Sequence, residues 1–521
     1  MSYRVCIPCA GTGSRLGKLT KTINKSLVGV DNKPMLSHII SYFPSDVEFV
    51  IPLGYKGELV KEFLYLAYPN HNFIFAKINP YEGYGSGLGV SIMGCKNYLQ
   101  DPFVFIACDT LIEGKIQAPT TNWLGYAKVS ESRNYRTIDV EGTFVREIYE
   151  KDVKDSTNNA YIGLCGVYDY GEFWTSLEAG GEESRISGEA YALKGLIPKG
   201  IQAYVFNWDD AGNPKGLELA RKKYAKPDNP EILEKENEAI WFVYGNVIKF
   251  SDDSTFIENR AKRAKLIQNY IPRIIAKTEH MYMYRMIRGE VFSKVINIPL
   301  FMKLLEVCDS FWLKQDLKGV ELESFNKRCM VFYKDKTYRR VKDFYSRFNL
   351  SDQINCINGK YIPKLETLLE QIDWDWLVKG IPGRFHGDFH FENIIWDKDS
   401  ERFVFIDWRQ DFGGNLEIGD IYYDLAKMMH GIIISHSMIN SNFFSVQWCD
   451  ERITFDLHRS HILVECEREY IKWLLNKGYD VKKVGILTAL VFINIAVLHH
   501  NPYSLLLYAL GKSKLFEELG Y

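Results

Sequence analysis

The chain has almost no net charge: 64 Lys and Arg against 66 Asp and Glu leave −2 over 521 residues. That balance gives no electrostatic footprint for nucleic acid or an anionic membrane, so neither is expected as a partner. Long apolar runs are missing too. The longest late one, Ile486 to Leu498, is broken by Thr488 and Asn494 and falls short of the roughly 20 residues that span a bilayer. It reads as a buried helix, and no membrane insertion is expected. The opening MSYRVCIPCAG has no basic region leading into a long apolar stretch, so a secretory leader is not expected and a cytoplasmic location is. The ten cysteines form no paired CxxC framework, and Cys6, Cys108 and Cys165 sit in apolar runs, as reduced core thiols do. Cys6 and Cys9 are spaced like half a zinc site whose second half is absent.

What the chain does have is length for two or three domains and the composition of an ordinary globular protein. Its most informative stretch runs from Phe385 to Asp420, FHGDFHFENIIWDKDSERFVFIDWRQDFGGNLEIGD. Asp388 sits on an HGD turn, Asn393 follows five residues later, and Asp407 closes the apolar run Phe403 to Ile406. Moving a γ-phosphoryl group needs one carboxylate to orient the attacking hydroxyl, and an amide and a second carboxylate to hold Mg²⁺ on the nucleotide phosphates. The apolar runs 394–396 and 403–406 flank the polar DKDSER and predict a hairpin that brings Asn393 and Asp407 together. This run resembles the catalytic and metal-binding loops of the aminoglycoside phosphotransferase and choline kinase family. The resemblance implies ATP as donor, Asp388 as the catalytic carboxylate, and Asn393 and Asp407 as metal ligands. GDIYYDLAKMMHG, Gly419 to Gly431, also looks like that family, with Asp420 and Asp424 as structural anchors.

At the other end, an apolar strand at 3–8 runs into AGTGSRLG, residues 10–17. A strand followed by a glycine loop presents backbone N–H groups to phosphate. Gly11, Thr12, Gly13 and Ser14 form that loop, and Arg15 and Lys25 add two cations that suit a triphosphate. Strands at Glu48 to Pro52, Phe73 to Ile78 and Pro102 to Ala107 alternate with helices near 34–42, 57–67 and 87–99, which predicts a mostly parallel sheet. Asp109 stands at the carboxyl end of the fourth strand, where such sheets bind ligands. These features resemble the sugar-nucleotidyltransferase family, which makes an NDP-sugar and pyrophosphate from an NTP and a sugar 1-phosphate. AGTGSRL with Lys25 matches the signature loop, and GYGSGLG, with Gly85, Ser86 and Gly87, matches the loop near base and sugar. ACDTL carries the metal aspartate Asp109. REIYEKD supplies Lys151 for the sugar phosphate, and NWDDAG supplies Asp210 as second metal carboxylate. Glu189, in SGEAY, reads either as a further member or as a helix charge.

The polar KPDNPEILEKENE interrupts the periodicity and marks a boundary. The expected division is a nucleotidyltransferase domain at 1–227, a linker at 228–237 and a small-molecule kinase domain at 238–521. Within the last, 239–250 predicts a β-hairpin with Lys249 on its second strand, and FIENRAKRAKLI offers Glu258 as the helix partner of that lysine. A last strand at 280–291 completes an N-lobe, about 238–290. Helices fill the C-lobe, about 291–521, including ones at about 419–434, 453–476 and 481–498. The cluster Lys334, Lys336, Arg339, Arg340 and Lys342 reads as a solvated helix face, with an anionic-substrate contact as the other reading.

The fold expectation is therefore α/β: a Rossmann-like sheet domain followed by a two-lobed kinase-like domain. The function expectation is a bifunctional, Mg²⁺-dependent enzyme. It phosphorylates a sugar with ATP, at the anomeric oxygen, and couples the product to a second NTP whose base stays open, a pyrimidine being favoured. Family analogy places the product in surface-polysaccharide synthesis. A small-alcohol or choline kinase fused to a CTP-dependent transferase is the alternative, and a domain decayed into a nucleotide-binding module is another. Oligomeric state stays open.

Overall fold

The structure, a computed structural model, describes residues 3–153, 157–226 and 235–521. Its chain divides into two compact units, Met1–Ile257 with Ile275–Met286, and Glu258–Ile274 with Ile287–Tyr521.

Among the described residues the first unit is built on nine strands. Their order is Asn72–Lys77, Glu48–Leu53, Arg4–Cys6, Phe103–Ile106, Asn159–Val167, Trp123–Lys128, Gln202–Val205, Phe144–Tyr149 and Thr137–Glu141. The first four pair in parallel. The sheet then turns mixed, because Asn159–Val167 runs antiparallel to both its neighbours. Continuous apolar runs such as Phe49, Val50 and Ile51 are what a strand covered on both faces requires. Val5, Phe49 and Ile51 pack on one side with Phe63, while Cys6 and Val50 pack on the other with Phe173 and Trp174. A separate antiparallel pair, Thr110–Glu113 with Asn207–Asp210, sets Asp210 opposite Thr110.

A second sheet has the order Glu238–Val243, Asn246–Ser251, Met281–Arg285 and Ile274–Lys277. Its expected hairpin turns through Tyr244 and Gly245, both at positive φ, as the tight turns that match strand twist demand. Trp241, Val243, Ile248, Phe250, Met281 and Met283 join Val60 and Phe63 in one apolar cluster, and the Trp241 ring meets Phe63 edge-on at 5.3 Å. That shared face explains why these strands cluster with the first unit, whereas the pattern of the sequence groups everything from 238 onward with the second half.

The second unit is largely helical around the hairpin Ile394–Asp397 and Arg402–Phe405, whose register pairs Ile394 with Phe405. Helix Gly319–Met330 continues through a π-helical turn, Val331–Asp335, into Lys336–Phe348. Helices Ile421–Ile433, His461–Asn476, Val481–Ala496 and Tyr503–Glu518 complete it. The helix expected from 453 starts only at His461, because Arg452–Leu457 pairs as a strand with Phe444–Cys449. The alternation there, exposed Arg452, Thr454 and Asp456 against the more buried Ile453, Phe455 and Leu457, is a strand period. Among the described residues no helix is long and apolar enough to cross a membrane.

Candidate active sites

In the first unit a cleft of about 510 Å³ is lined by Gly11, Thr12, Gly13, Ser14, Arg15, Lys25, Ser86, Gly87 and Asp109, among others. Gly85, in the same loop at φ +87°, is not among the lining residues. The loop between strand and helix is not a single turn, since two 3-10 segments, Ser14–Thr20 and Lys25–Leu27, fold back along it. Gly13 makes that return feasible. It lies at φ +67°, and a Cβ there would sit 2.8 Å from the Lys25 Cβ. Asn24 secures the second segment by donating from Nδ2 to the carbonyls of Cys9 and Tyr55 at 2.8 and 2.6 Å.

Lys25 Nζ donates a short hydrogen bond to Asp109 Oδ2, and Arg15 Nη2 stands 3.9 Å from the same oxygen. Burial would raise the Asp109 carboxyl, but Lys25, with Arg15 behind it, outweighs burial and holds it below the usual carboxylate range. Strand pairing brings Asp210 to this point from 101 positions away, and Ala211 N donates to Asp109 O at 3.1 Å. Asp210 is fixed on three sides by Gly212 N at 2.8 Å, Asn213 Nδ2 at 2.8 Å and Tyr135 OH at 3.2 Å. Gly212 lies between the two carboxylates: a Cβ on it would fall 2.1 Å from Asp109 Oδ2 and 2.9 Å from Asp210 Oδ1. Two carboxylates brought side by side offer the hard oxygen ligands that Mg²⁺ takes. Lys151 is exposed at its surface side and within electrostatic reach of Arg15, Asp109 and Asp210; partial desolvation, then repulsion by Arg136 and Arg15, lowers its pKa. Glu189 is buried, not solvated, and burial raises its carboxyl to about 7.

In the second unit the HGD turn hangs from Asp424. His386 N and Gly387 N donate to its two oxygens at 2.6 and 2.7 Å, and Trp312 Nε1 donates at 3.0 Å. Burial raises this fully enclosed carboxyl to about 6. Asp420 caps the same helix by accepting from Tyr422 N at 3.0 Å, and also accepts from Ile381 N and Tyr333 OH. Both aspartates thus serve as anchors. Arg263 donates from Nε to Leu416 O at 2.9 Å, and its guanidinium also reaches the carbonyls of Phe385 and Arg409.

Asp388 emerges from this frame with its side chain 41% exposed. Asn393 Nδ2 donates to Asp388 Oδ2 at 3.1 Å and to its carbonyl at 2.9 Å. The hairpin closes as its spacing predicts, with Ile406 N donating to Asn393 O at 2.8 Å. That puts Asn393 and Asp407 at one end of it. Asp407 lies at φ +59° and faces Arg260 Nη1 at 3.3 Å. An amide oxygen and a carboxylate at one strand end fit a hard cation. Lys427 Nζ pairs with Asp388 Oδ1 at 2.7 Å. Burial pushes the Asp388 carboxyl up, but Lys427 and His390 outweigh it and hold it well below the usual range. Lys427 belongs to no motif of the sequence, and its i,i+3 spacing from Asp424 on an apolar helix is its one local sign. Lys249 is buried on Asn246–Ser251 in register with Tyr282 and Ile240, within the first unit. Glu258 belongs to the second unit and stands 3.5 Å from Lys262.

Residues 325–447, which span this second site, match the phosphotransferase enzyme family. The N-terminal half is 26% identical over 255 residues to the bifunctional protein GlmU of Methanococcus maripaludis, covering 46% of this chain and 59% of that protein. Both halves are similar to transferases. A probable glucose-1-phosphate cytidylyltransferase of Bacillus subtilis is 32% identical over 116 residues, 22% of this chain and 42% of that protein. A solved UTP-bound UGPase from Acinetobacter baumannii is 17% identical, covers 44% of this chain and 96% of that one, and has a TM-score of 0.37. The chain spans little more than half the length of the first of these relatives.

Proposed function

We propose that the chain phosphorylates a sugar with ATP and then joins the sugar phosphate to a nucleotide, releasing pyrophosphate. The observation that supports this most is that each half holds its own pair of oxygen ligands beside a cation: Asp109 and Asp210 with Lys25, and Asn393 and Asp407 beside the Asp388–Lys427 pair. In this reading the second half follows a kinase-like plan.

In the first reaction the sugar hydroxyl oxygen attacks the γ-phosphorus, and the bond to the β-γ bridging oxygen of ATP breaks, leaving ADP. Asp388 accepts the hydroxyl's hydrogen bond. Because Lys427 keeps this carboxylate ionised and weakly basic, its main work is to orient the nucleophile, with the proton passing over as the new P–O bond forms. In the second reaction a sugar-phosphate oxygen attacks the α-phosphorus of an NTP and pyrophosphate leaves. Arg15 and Lys25 screen the β- and γ-phosphates, and Lys151 receives the sugar phosphate. Mg²⁺, held by Asp109 and Asp210 in one half and by Asn393 and Asp407 in the other, would supply further charge neutralisation.

The test is a pair of variants of the full chain assayed for both products. Asp388→Asn should abolish acceptor-dependent ADP release and spare pyrophosphate release from a supplied sugar phosphate, while Asp109→Asn should do the reverse. If either variant lost both activities, two independent sites would be the wrong description.

A further inference from the structure

Lys336 is not on a solvated helix face. Within its cluster Arg339 and Lys342 are exposed, but Lys336 turns inward at the first residue of its helix, directly after the π-helical turn. Its ammonium lies 4.1 Å from the centre of the Phe332 ring and 5.6 Å from that of Tyr423. The Arg409 guanidinium takes the same Phe332 ring at 4.9 Å. Two cations therefore share one aromatic ring, and neither has a carboxylate within ion-pair distance among the described residues. The Arg409 Nε is buried with no hydrogen-bond acceptor among the described residues.

These cations are tied to the catalytic turn by backbone geometry. Arg409 N donates to His386 O at 2.9 Å, and the Arg409 side chain lies so close over Gly387 that a Cβ there would stand 2.6 Å from it. Tyr423 and Lys427 are four apart on one helix and hence neighbours on its face, so Lys336 above Tyr423 is next to the Lys427–Asp388 pair. The two metal-side residues, Asn393 and Asp407, come from the hairpin, whereas Lys336 and Lys427 come from helices. Burial, followed by the repulsion of Arg409, Lys427 and Arg340, lowers the Lys336 pKa well below its ordinary value despite Asp388. Grouped, partly desolvated cations with one shared carboxylate are costly unless a further anion joins them.

We propose that Phe332, Lys336 and Arg409 form the acceptor end of the phosphotransfer site, and that the acceptor is a hydroxyl compound carrying its own carboxylate or phosphate. The inference rests on the phosphotransfer reading above. Arg409 supplies a planar fork that pairs with either anion, and Lys336 a point charge. The same arrangement opposes a quaternary ammonium acceptor such as choline, which would face like charge.

The full chain with ATP and Mg²⁺ should be assayed for ADP release against glucose, glucuronate, glucose 6-phosphate and choline, as wild type and as K336M, R409M and K336R. At least one anionic acceptor should exceed glucose tenfold or more in kcat/KM, and which one does so separates carboxylate from phosphate. K336M and R409M should each cut that ratio at least fivefold with KM for ATP unchanged, and K336R should retain it. Glucose or choline used as well as either anion, or variants that alter KM for ATP and leave the acceptor ratio intact, would overturn the proposal. Absence of ADP release with all four compounds would count against the phosphotransfer reading instead. Calorimetric titration of the same four in the presence of a non-hydrolysable ATP analogue then decides the inference, and equal affinity for charged and neutral members overturns it.

Discussion

Replacing Gly212 by alanine tests the carboxylate pair without removing a charge. The added Cβ would lie 2.1 Å from Asp109 Oδ2 and 2.9 Å from Asp210 Oδ1, whereas ordinary contact begins near 3.4 Å. The Asp109 oxygen must therefore retreat by roughly 1.3 Å, or the segment carrying Gly212 must shift as far. Neither move is free. Lys25 holds that oxygen and Asp210 accepts from Gly212 N itself. A misplacement of this size costs about 100-fold in rate, equivalent to about 2.7 kcal/mol of transition-state stabilisation. The expected result is a pyrophosphate-release rate down about 100-fold, a raised Mg²⁺ requirement and unchanged ADP release. Gly171→Ala is the control, because a methyl there meets nothing within 4 Å. If Gly212→Ala kept a rate within threefold of wild type at the original Mg²⁺ requirement, the convergence of Asp109 and Asp210 would not be what the reaction uses.

Two further outcomes follow from buried carboxylates. Asp424→Ala strands two backbone donors and an indole N–H at about 1–3 kcal/mol each, so the urea midpoint for unfolding should fall by the equivalent of about 3 kcal/mol or more; a shift worth under 1 kcal/mol would show the turn held some other way. Glu189 has its carboxyl raised from 4.5 to about 7, so the folded state binds the proton more tightly than the unfolded chain. Its contribution is full below about pH 4.5 and is lost as pH rises through 7, about 3 kcal/mol in all. Glu189→Gln should flatten the pH dependence of the melting temperature across that window, and parallel curves for variant and wild type would contradict the assignment.

How much of this was legible depended on sequence separation. Asp388, Asn393 and Asp407 lie within 20 positions on one turn and one hairpin, so spacing and alternation alone predict their meeting. Asp109 was legible from its place at a strand end. The pairing that delivers Asp210 spans some hundred residues, and only the resemblance of NWDDAG suggested it; Tyr135 and Asn213, which orient that carboxylate, carry no local signal. Lys336 and Arg409 are further apart in sequence than any turn can relate, and their convergence on Phe332 depends on a π-helical turn that no residue pattern announces. The strand at Arg452–Leu457 had a visible period of two, but the helical run beyond it masked the change of period.

The strands that carry Lys249 bury their apolar face in the core of the first unit, through Trp241, Ile248 and Phe250 on one side and Phe63 on the other. A recombination joint placed just after Tyr224 would leave both faces bare. A chain cut at that point therefore loses apolar cover on either side of the cut. Drift at Phe63 is therefore answerable to the strand that bears Lys249.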